Sequence, residues 1–169
     1  MHSIAERLEA YAGTWRDNDP ARLESFWDVE DGQPVYKPEE IDGLLTGWQA
    51  VRDYWRHNEQ FHERVDLRFA DIEEKPLGDD LRLAVFRMRW DILFAPNARM
   101  PDGTPFQWRG QAMGGDDHVV TLWRQRAGDW RLISWIECPM APISYIANLY
   151  LKDLSPGFPS RSETPTQTD

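Results

Sequence analysis

The stretch from His118 to Tyr150, HVVTLWRQRAGDWRLISWIECPMAPISYIANLY, constrains the fold more than any other. Val119 to Trp123 are strand formers, and Trp130, Leu132, Ile133, Trp135 and Ile136 answer them beyond Ala127-Gly128-Asp129. Such residues suit a pleated, half-buried surface, and Gly128 can supply the positive φ that a tight hairpin demands. The stretch therefore predicts strand, turn, strand. Pro139 and Pro142 stop the second strand, because Pro cannot donate to a ladder. Beyond them Ile143, Ile146, Ala147, Tyr150 and Leu154 fall at helical spacing. They predict a closing helix whose apolar stripe packs on the sheet just built.

Upstream, Ser3-Ile4-Ala5-Glu6 has the form of a capping box, followed by an apolar face of Ile4, Leu8, Tyr11, Ala12 and Trp15. Asp17-Asn18-Asp19 breaks this helix, and Asp19 with Pro20 can begin a second, burying Leu23, Phe26 and Trp27. Val35-Tyr36-Lys37 and Leu44-Leu45 read as a short strand pair. Thr46 can cap a third helix carrying Trp48, Val51 and Trp55 inward and fraying near Asn58. Val65 to Glu74 alternates in two sets with a bulge between them. Leu81 to Phe94 is the longest strand, with Ala84, Phe86, Met88, Trp90, Ile92 and Phe94 on one face and Arg87, Arg89 and Asp91 on the other. Residues 95 to 104 form a loop, Phe106 to Met113 starts the next strand, and Gly114-Gly115 predicts a bulge or sharp bend. The fold class is α+β: one domain over residues 1–154, then a disordered tail over 155–169, where three Pro and one large apolar residue cannot bury enough to order a segment.

Charge narrows the partners. The 19 Lys+Arg against 29 Asp+Glu give a net charge of -10. A field of that sign repels phosphate backbones and anionic lipid, so neither nucleic acid nor membrane is an expected partner. No apolar run spans a bilayer and the N-terminal residues lack a signal peptide's apolar region, so the expected location is cytoplasmic. The single Cys138 excludes an internal disulfide and a Cys-based zinc site. No GxGxxG, P-loop, HExxH or GxSxG motif occurs, and no cofactor is expected.

Three segments carry a family resemblance: YAGTWRDNDPARLESFW near the start, GWQAVRDYW in the middle and VVTLWRQRAGDWRLISW near the end. In this order, over roughly residues 3 to 138, they resemble the nuclear transport factor 2-like (SnoaL-like) superfamily. The resemblance implies a curved antiparallel sheet wrapped as a cone around N-terminal helices, an apolar cavity at its open end, and a homodimer through the outer sheet face. Members include ketosteroid isomerases, scytalone dehydratase, polyketide cyclases, limonene epoxide hydrolase and cofactor-free lyases, together with non-catalytic binding domains. The fold alone does not choose among them.

The resemblance also implies roles. Tyr11, eight residues before Asp19, stands where the isomerases carry an oxyanion donor, a neutral O–H aimed into a dry pocket. Lys37 stands where they carry a carboxylate base, a departure that puts steroid-type isomerisation in doubt. From the residues themselves, His118 with Asp116 on the same strand face is the best base candidate, since a carboxylate can orient an imidazole. Arg89 could bind an anionic group or belong to an outer ionic patch. Glu137, at the mouth end of the last strand, could be a base or a strand-end hydrogen-bond acceptor. His57 and His62 lie off a common helical face and make no metal pair. Nine Trp allow two readings, a Trp-rich core or an aromatic-lined cavity. In the second, Trp15, Trp27, Tyr36, Trp48, Tyr54 and Trp55 form the walls.

Two functions follow. The first is a cofactor-independent lyase, dehydratase or isomerase acting by acid–base chemistry on a hydrophobic, aromatic small molecule. His118 or Lys37 would be the base and Tyr11 the donor. The second is a non-catalytic small-molecule-binding or dimeric interaction module. A metal-dependent oxygenase is weaker, since it needs a two-His-one-carboxylate set that the four His do not visibly supply.

Overall fold

Ser3 opens α1 (Ile4–Arg16) with the expected capping box: the Glu6 N–H donates to Ser3 Oγ at 3.2 Å, and the Ser3 N–H donates to the Glu6 carboxylate at 2.7 Å. The two bonds satisfy donors that a helix start leaves open. The computed structural model describes residues 2–100 and 102–141, together with 146, 147, 150, 155 and 156. The closing helix expected over Ile143–Leu154 and the tail expected over 155–169 lie almost wholly outside the described residues.

After α1 come α2 (Pro20–Leu23), with Pro20 at its first turn, and a 3-10 turn over Glu24–Phe26. Then follow β1 (Val35–Lys37), β2 (Leu45–Thr46) and α3 (Trp48–Phe61). Thr46 does not cap α3. It pairs with Val35 in β2, and Gly47, at φ +80, is the cap residue instead. Gly tolerates that conformation where a residue with a Cβ would be strained. The helix also runs on to Phe61, beyond Asn58, which is buried rather than frayed.

The long strands are β3 (His62–Pro76), β4 (Leu81–Phe94), β5 (Ala112–Arg126) and β6 (Asp129–Pro139). They form one six-stranded sheet in the order β2-β1-β6-β5-β4-β3. Every pairing is antiparallel except β1 with β6, which is parallel and departs from the expected all-antiparallel sheet. The sheet is curved and unclosed, with β2 and β3 at its edges. The hairpin turn places Ala127 (φ +49) and Gly128 (φ +81) between the paired Arg126 and Asp129, the primed-turn signature. The bulge expected in β3 lies between Ala70 and Glu73, with Asp71 at φ +55.

Two expectations are corrected. Gly114 and Gly115 make no bulge, since they pair in register with Asp91 and Trp90. They give room instead: a Cβ on Gly115 would lie 2.7 Å from Trp90 Cζ2, and one on Gly114 would lie 2.4 Å from Asp91 Oδ1. The strand expected from Phe106 begins only at Ala112. Phe106 turns away to pack on Phe61 and Phe94, at centroid distances of 4.6 and 4.9 Å, and Gly110 at φ +73 completes the turn.

The concave face carries Phe86, Met88, Val119, Thr121, Trp123 and Trp135, all buried, and α1 and α3 pack into it. Fully burying a large apolar side chain is worth roughly 1.5–3 kcal/mol, so these residues fix which way the strands face. The convex face carries His118, Val120, Leu122 and Ile136 beside an ionic patch built on Arg87 and Arg89. No helix among the described residues is long and apolar enough to cross a membrane.

Candidate functional site

Successive residues of a strand point to opposite faces. In β5 that alternation places Asp117 at 0% exposure on the concave face and leaves Asp116 and His118 exposed on the convex one. The register sets Asp117 opposite Met88 and Pro139, and Glu137 opposite Val119. Asp117 and Glu137 are thus diagonal neighbours on one face, close enough for their side chains to interact. Glu39 joins them from the loop after β1, its N–H donating to Glu137 Oε2 at 3.0 Å. Trp135 Nε1 donates to Glu137 Oε1 at 2.7 Å, and the Tyr36 hydroxyl reaches the same oxygen at 3.4 Å. The Tyr54 hydroxyl donates to Glu40 Oε1 at 2.8 Å.

The electrostatics of this cluster are unusual. Burial pushes the Glu137 carboxyl up to about 8, aided by the charges of Glu40 and Asp117 and opposed by the bonds from Trp135 and the Glu39 N–H. Burial, and then the facing Asp117 carboxyl, push Glu39 up to about 8. Burial also raises Asp117. Other acids crowd the cluster, and among the described residues Glu39, Glu40, Asp117 and Glu137 form no ion pair. Neither Asp117 oxygen is in good hydrogen-bond geometry with a donor, though the Glu39 carboxyl and the Trp90 indole stand beside it. An unsatisfied buried group costs about 1–3 kcal/mol, more when charged, and a proton shared with Glu39 is the internal way to relieve it. The Trp90 indole, lying over Gly115, is the other neighbour of Asp117. A carboxyl that stays protonated near neutrality is a proton donor, and an ionised partner beside it is an acceptor. The cluster therefore places carboxyls able to donate a proton next to ones able to accept it, in a partly buried, aromatic setting.

Some of the residues singled out in the sequence meet here. Tyr11 is buried, stacked on Trp135 at 5.0 Å, with no hydrogen-bond partner for its hydroxyl. Burial and the Glu137 charge hold it as a neutral phenol. Tyr36 and Tyr54 contact each other at 5.3 Å and bond the acids from below. Glu137 sits at the centre, as a hydrogen-bond acceptor and as a titratable group. Lys37 borders the cluster, but its ammonium donates to the Pro38 carbonyl at 2.6 Å and to that of Ile41. It fastens the loop that carries Glu39 and Glu40, and the acid leaving β1 is Glu39, two residues further on.

Others do not meet. Asp116 and His118 share a face as expected, but it is the convex one, turned away from the helices. His118 does not face the concave interior. Asp116 accepts from Arg89 Nη1 at 3.2 Å, and Arg89 also bonds Asp91 at 2.8 Å, so Arg89 serves an outer ionic patch. Trp27 and Trp55 are core residues, their rings 6.0 Å apart. Trp48 donates to the Asp31 carbonyl at 2.8 Å, and Trp15 lies edge-on to Tyr11 at 6.4 Å.

Asp117 and Glu39 were not singled out in the sequence. Acidic residues stand at both 116 and 117, and Val at both 119 and 120, so the period of β5 does not say which set faces inward. Glu39 lies in a loop with no period at all.

Two surface clefts lie elsewhere. One, of about 450 Å³, is lined by His57, Phe61, His62, Ala95, Asn97 and Arg99 among others. Within it His62 is half-buried, its Nδ1 has no partner, and burial lowers it to about 4. The other, of about 350 Å³, lies between the start of α2 and α3 beside Arg52 and Trp55. Among the described residues, no group of three or more His, Cys, Asp or Glu is arranged to hold a metal ion.

No family model matches the sequence, and no curated protein matches it. Solved structures do match in shape. A dehydratase assigned to the NTF2-like family from Streptomyces avermitilis superposes with a TM-score of 0.65 at 16% identity, covering 82% of this chain and 95% of that one. A protein assigned as a scytalone dehydratase from Novosphingobium aromaticivorans gives 0.64 at 13% identity, covering 82% of each chain. A protein assigned as a calcium/calmodulin-dependent protein kinase II association domain from Xanthomonas campestris gives 0.62 at 10% identity, covering 81% and 85%. At such identities the likeness speaks for the fold alone, and it agrees with the curved six-stranded sheet packed on N-terminal helices: the chain has the fold of the nuclear transport factor 2-like superfamily.

Proposed function

We propose that the chain is a cofactor-independent acid–base enzyme, a lyase, dehydratase or isomerase, acting on a hydrophobic, aromatic small molecule. One observation carries the reading: Asp117, wholly buried and poorly hydrogen-bonded, beside the Glu39 and Glu137 carboxyls. A fold gains no stability from that arrangement, so an active role is the economical account of it. In an elimination, the ionised member of the Glu39–Asp117 pair removes a proton from the carbon next to a carbonyl. The C–H electron pair becomes the new C=C bond. The neutral Glu137 carboxyl gives its proton to the departing hydroxyl, which leaves as water. The Tyr11 phenol, neutral in its buried place, supplies an O–H to the developing enolate oxygen. Protons and electrons balance within these groups, with no redox partner needed.

The test is a panel of phenolic ketones, β-hydroxy ketones and cyclic enones in deuterated water, followed by proton NMR. We expect exchange at the activated carbon or elimination with wild type, falling at least 100-fold in Asp117→Asn and in Glu137→Gln. Equal rates in all three proteins would remove the carboxyls from the chemistry. Among the expected partners, a second copy of the chain fits the convex face. There Leu83, Val85, Val120, Leu122 and Ile136 are neighbours in register and only half-buried.

A further inference from the structure

We propose that the molecule bound at the Glu39–Asp117–Glu137 cluster carries a protonated amine attached to a flat apolar group. This names the substrate class of the site described above. It rests on the acid–base reading for its catalytic meaning, while the binding rests on the placement and charge of the acids.

Four acidic side chains converge from three elements: Glu39 and Glu40 from the loop after β1, Asp117 from β5, Glu137 from β6. None is in an ion pair among the described residues, whereas acids elsewhere commonly are: Asp28 holds Arg124 and Arg126, Glu24 holds Arg52, and Asp91 holds Arg68 and Arg89. Among the described residues the cation bordering the cluster is Lys37, whose ammonium donates to the Pro38 and Ile41 carbonyls. The second observation is Asp117 itself. It is fully buried, neither oxygen is in good hydrogen-bond geometry with a donor, and the groups beside it are the Glu39 carboxyl and the Trp90 indole. A proton shared with Glu39 can satisfy it, and so can an ammonium, with three donors. Among the described residues, the groups facing the cluster are acids or neutral phenols: Tyr11 from α1, Tyr36 from β1, Tyr54 from α3, with Asp116 on the far side of β5. Trp90, half-buried beside Gly115, supplies an aromatic face, which attracts a cation and accepts a flat ring. An anionic ligand would meet only repulsion there.

Binding then exchanges a proton for an organic cation. When the ammonium enters, the carboxyl pair ionises and the base is made by the arrival of its substrate.

The test is isothermal titration of the full chain with 2-phenylethylamine, 2-phenylethanol and phenylacetate, at pH 6.5 and 8.5, in two buffers of different ionisation heat. The amine is expected to bind at least tenfold more tightly than the alcohol at pH 8.5. Its affinity is expected to fall roughly 20-fold at pH 6.5, as displacement of one proton from a group titrating near 8 requires, with proton release seen as a buffer-dependent heat. Asp117→Asn should abolish the preference. Should that variant unfold, Glu39→Gln, in a loop, serves in its place. Equal binding of amine and alcohol, tightest binding of phenylacetate, or no binding by any of the three would overturn the proposal. Turnover of the ketone panel without amine preference overturns this inference and leaves the acid–base reading standing. Amine preference without turnover does the reverse.

Discussion

The backbone N–H of Glu39 donates to the Glu137 carboxylate at 3.0 Å, joining the loop after β1 to the end of β6 across 98 residues of sequence. The bond is strongest when Glu137 is ionised, yet burial keeps that carboxyl protonated up to about pH 8. The site is held by a bond that its own environment weakens, and the consequences can be measured.

Stability should fall as pH rises from about 5 to about 8. In the unfolded chain a Glu ionises near 4.3, while in the fold Glu137 and Glu39 keep their protons to about 8. Between those limits the folded state binds more protons than the unfolded one, so unfolding free energy decreases with pH and levels off above 8. Denaturant midpoints across this range should show the slope, and Glu137→Gln should flatten it. A slope unchanged by the substitution would contradict the assignment.

Gly115→Ala should destabilise the fold by about 1–3 kcal/mol, the usual cost of forcing extra volume into a packed place. The new Cβ would stand 2.7 Å from Trp90 Cζ2 and 2.9 Å from Cε2, so the indole must leave its position above β5 and uncover Asp117. Urea denaturation checks the stability, and Trp fluorescence checks the displacement. An unchanged midpoint would mean that Trp90 moves freely.

His118→Ala should leave both turnover and stability unchanged, within about 0.5 kcal/mol, because the imidazole stands exposed on the convex face. Asp117→Asn, one residue away, should suppress turnover at least 100-fold. A large loss of turnover in His118→Ala would return the base to the outer face.

The contrast at this pair shows what a sequence can and cannot display. β4 was plain, since each even residue from Ala84 to Phe94 is apolar and the odd positions include Arg87, Arg89 and Asp91. The hairpin was plain because a two-residue turn at Ala127-Gly128 has few sequence solutions. The inward face of β5 was not, because acids stand at both 116 and 117 and Val at both 119 and 120. Burial of Thr121 and Trp123 beneath the helices decides it. Glu39 was hidden for another reason. Its partner is nearly a hundred residues away, and no local pattern announces a contact that only the parallel pairing of β1 with β6 creates. The aromatic set divides the same way: Tyr36 and Tyr54 reach the acids, while Trp27 and Trp55 fill the core, and nothing in residue type distinguishes the two fates.

Asp28→Ala should cost about 2 kcal/mol. The Asp28 carboxylate is 2% exposed and accepts from Arg124 Nη1 at 3.2 Å and Arg126 Nε at 3.0 Å. Both arginines reach solvent and can rehydrate, so the loss should lie between that of an exposed and that of a buried ion pair. Chemical denaturation giving under 0.5 kcal/mol would show that the pair contributes little.

The central claim is that carboxyls at the Glu39–Asp117–Glu137 cluster hold protons at neutral pH. Side-chain carboxyl carbon-13 NMR, followed from pH 3 to 10 and assigned with Glu137→Gln and Glu39→Gln, reads this directly. The account predicts at least two carboxyl resonances titrating near 8, one lost in each variant. If every carboxyl in the protein titrates below about 5.5, the cluster is ordinary and the acid–base reading fails.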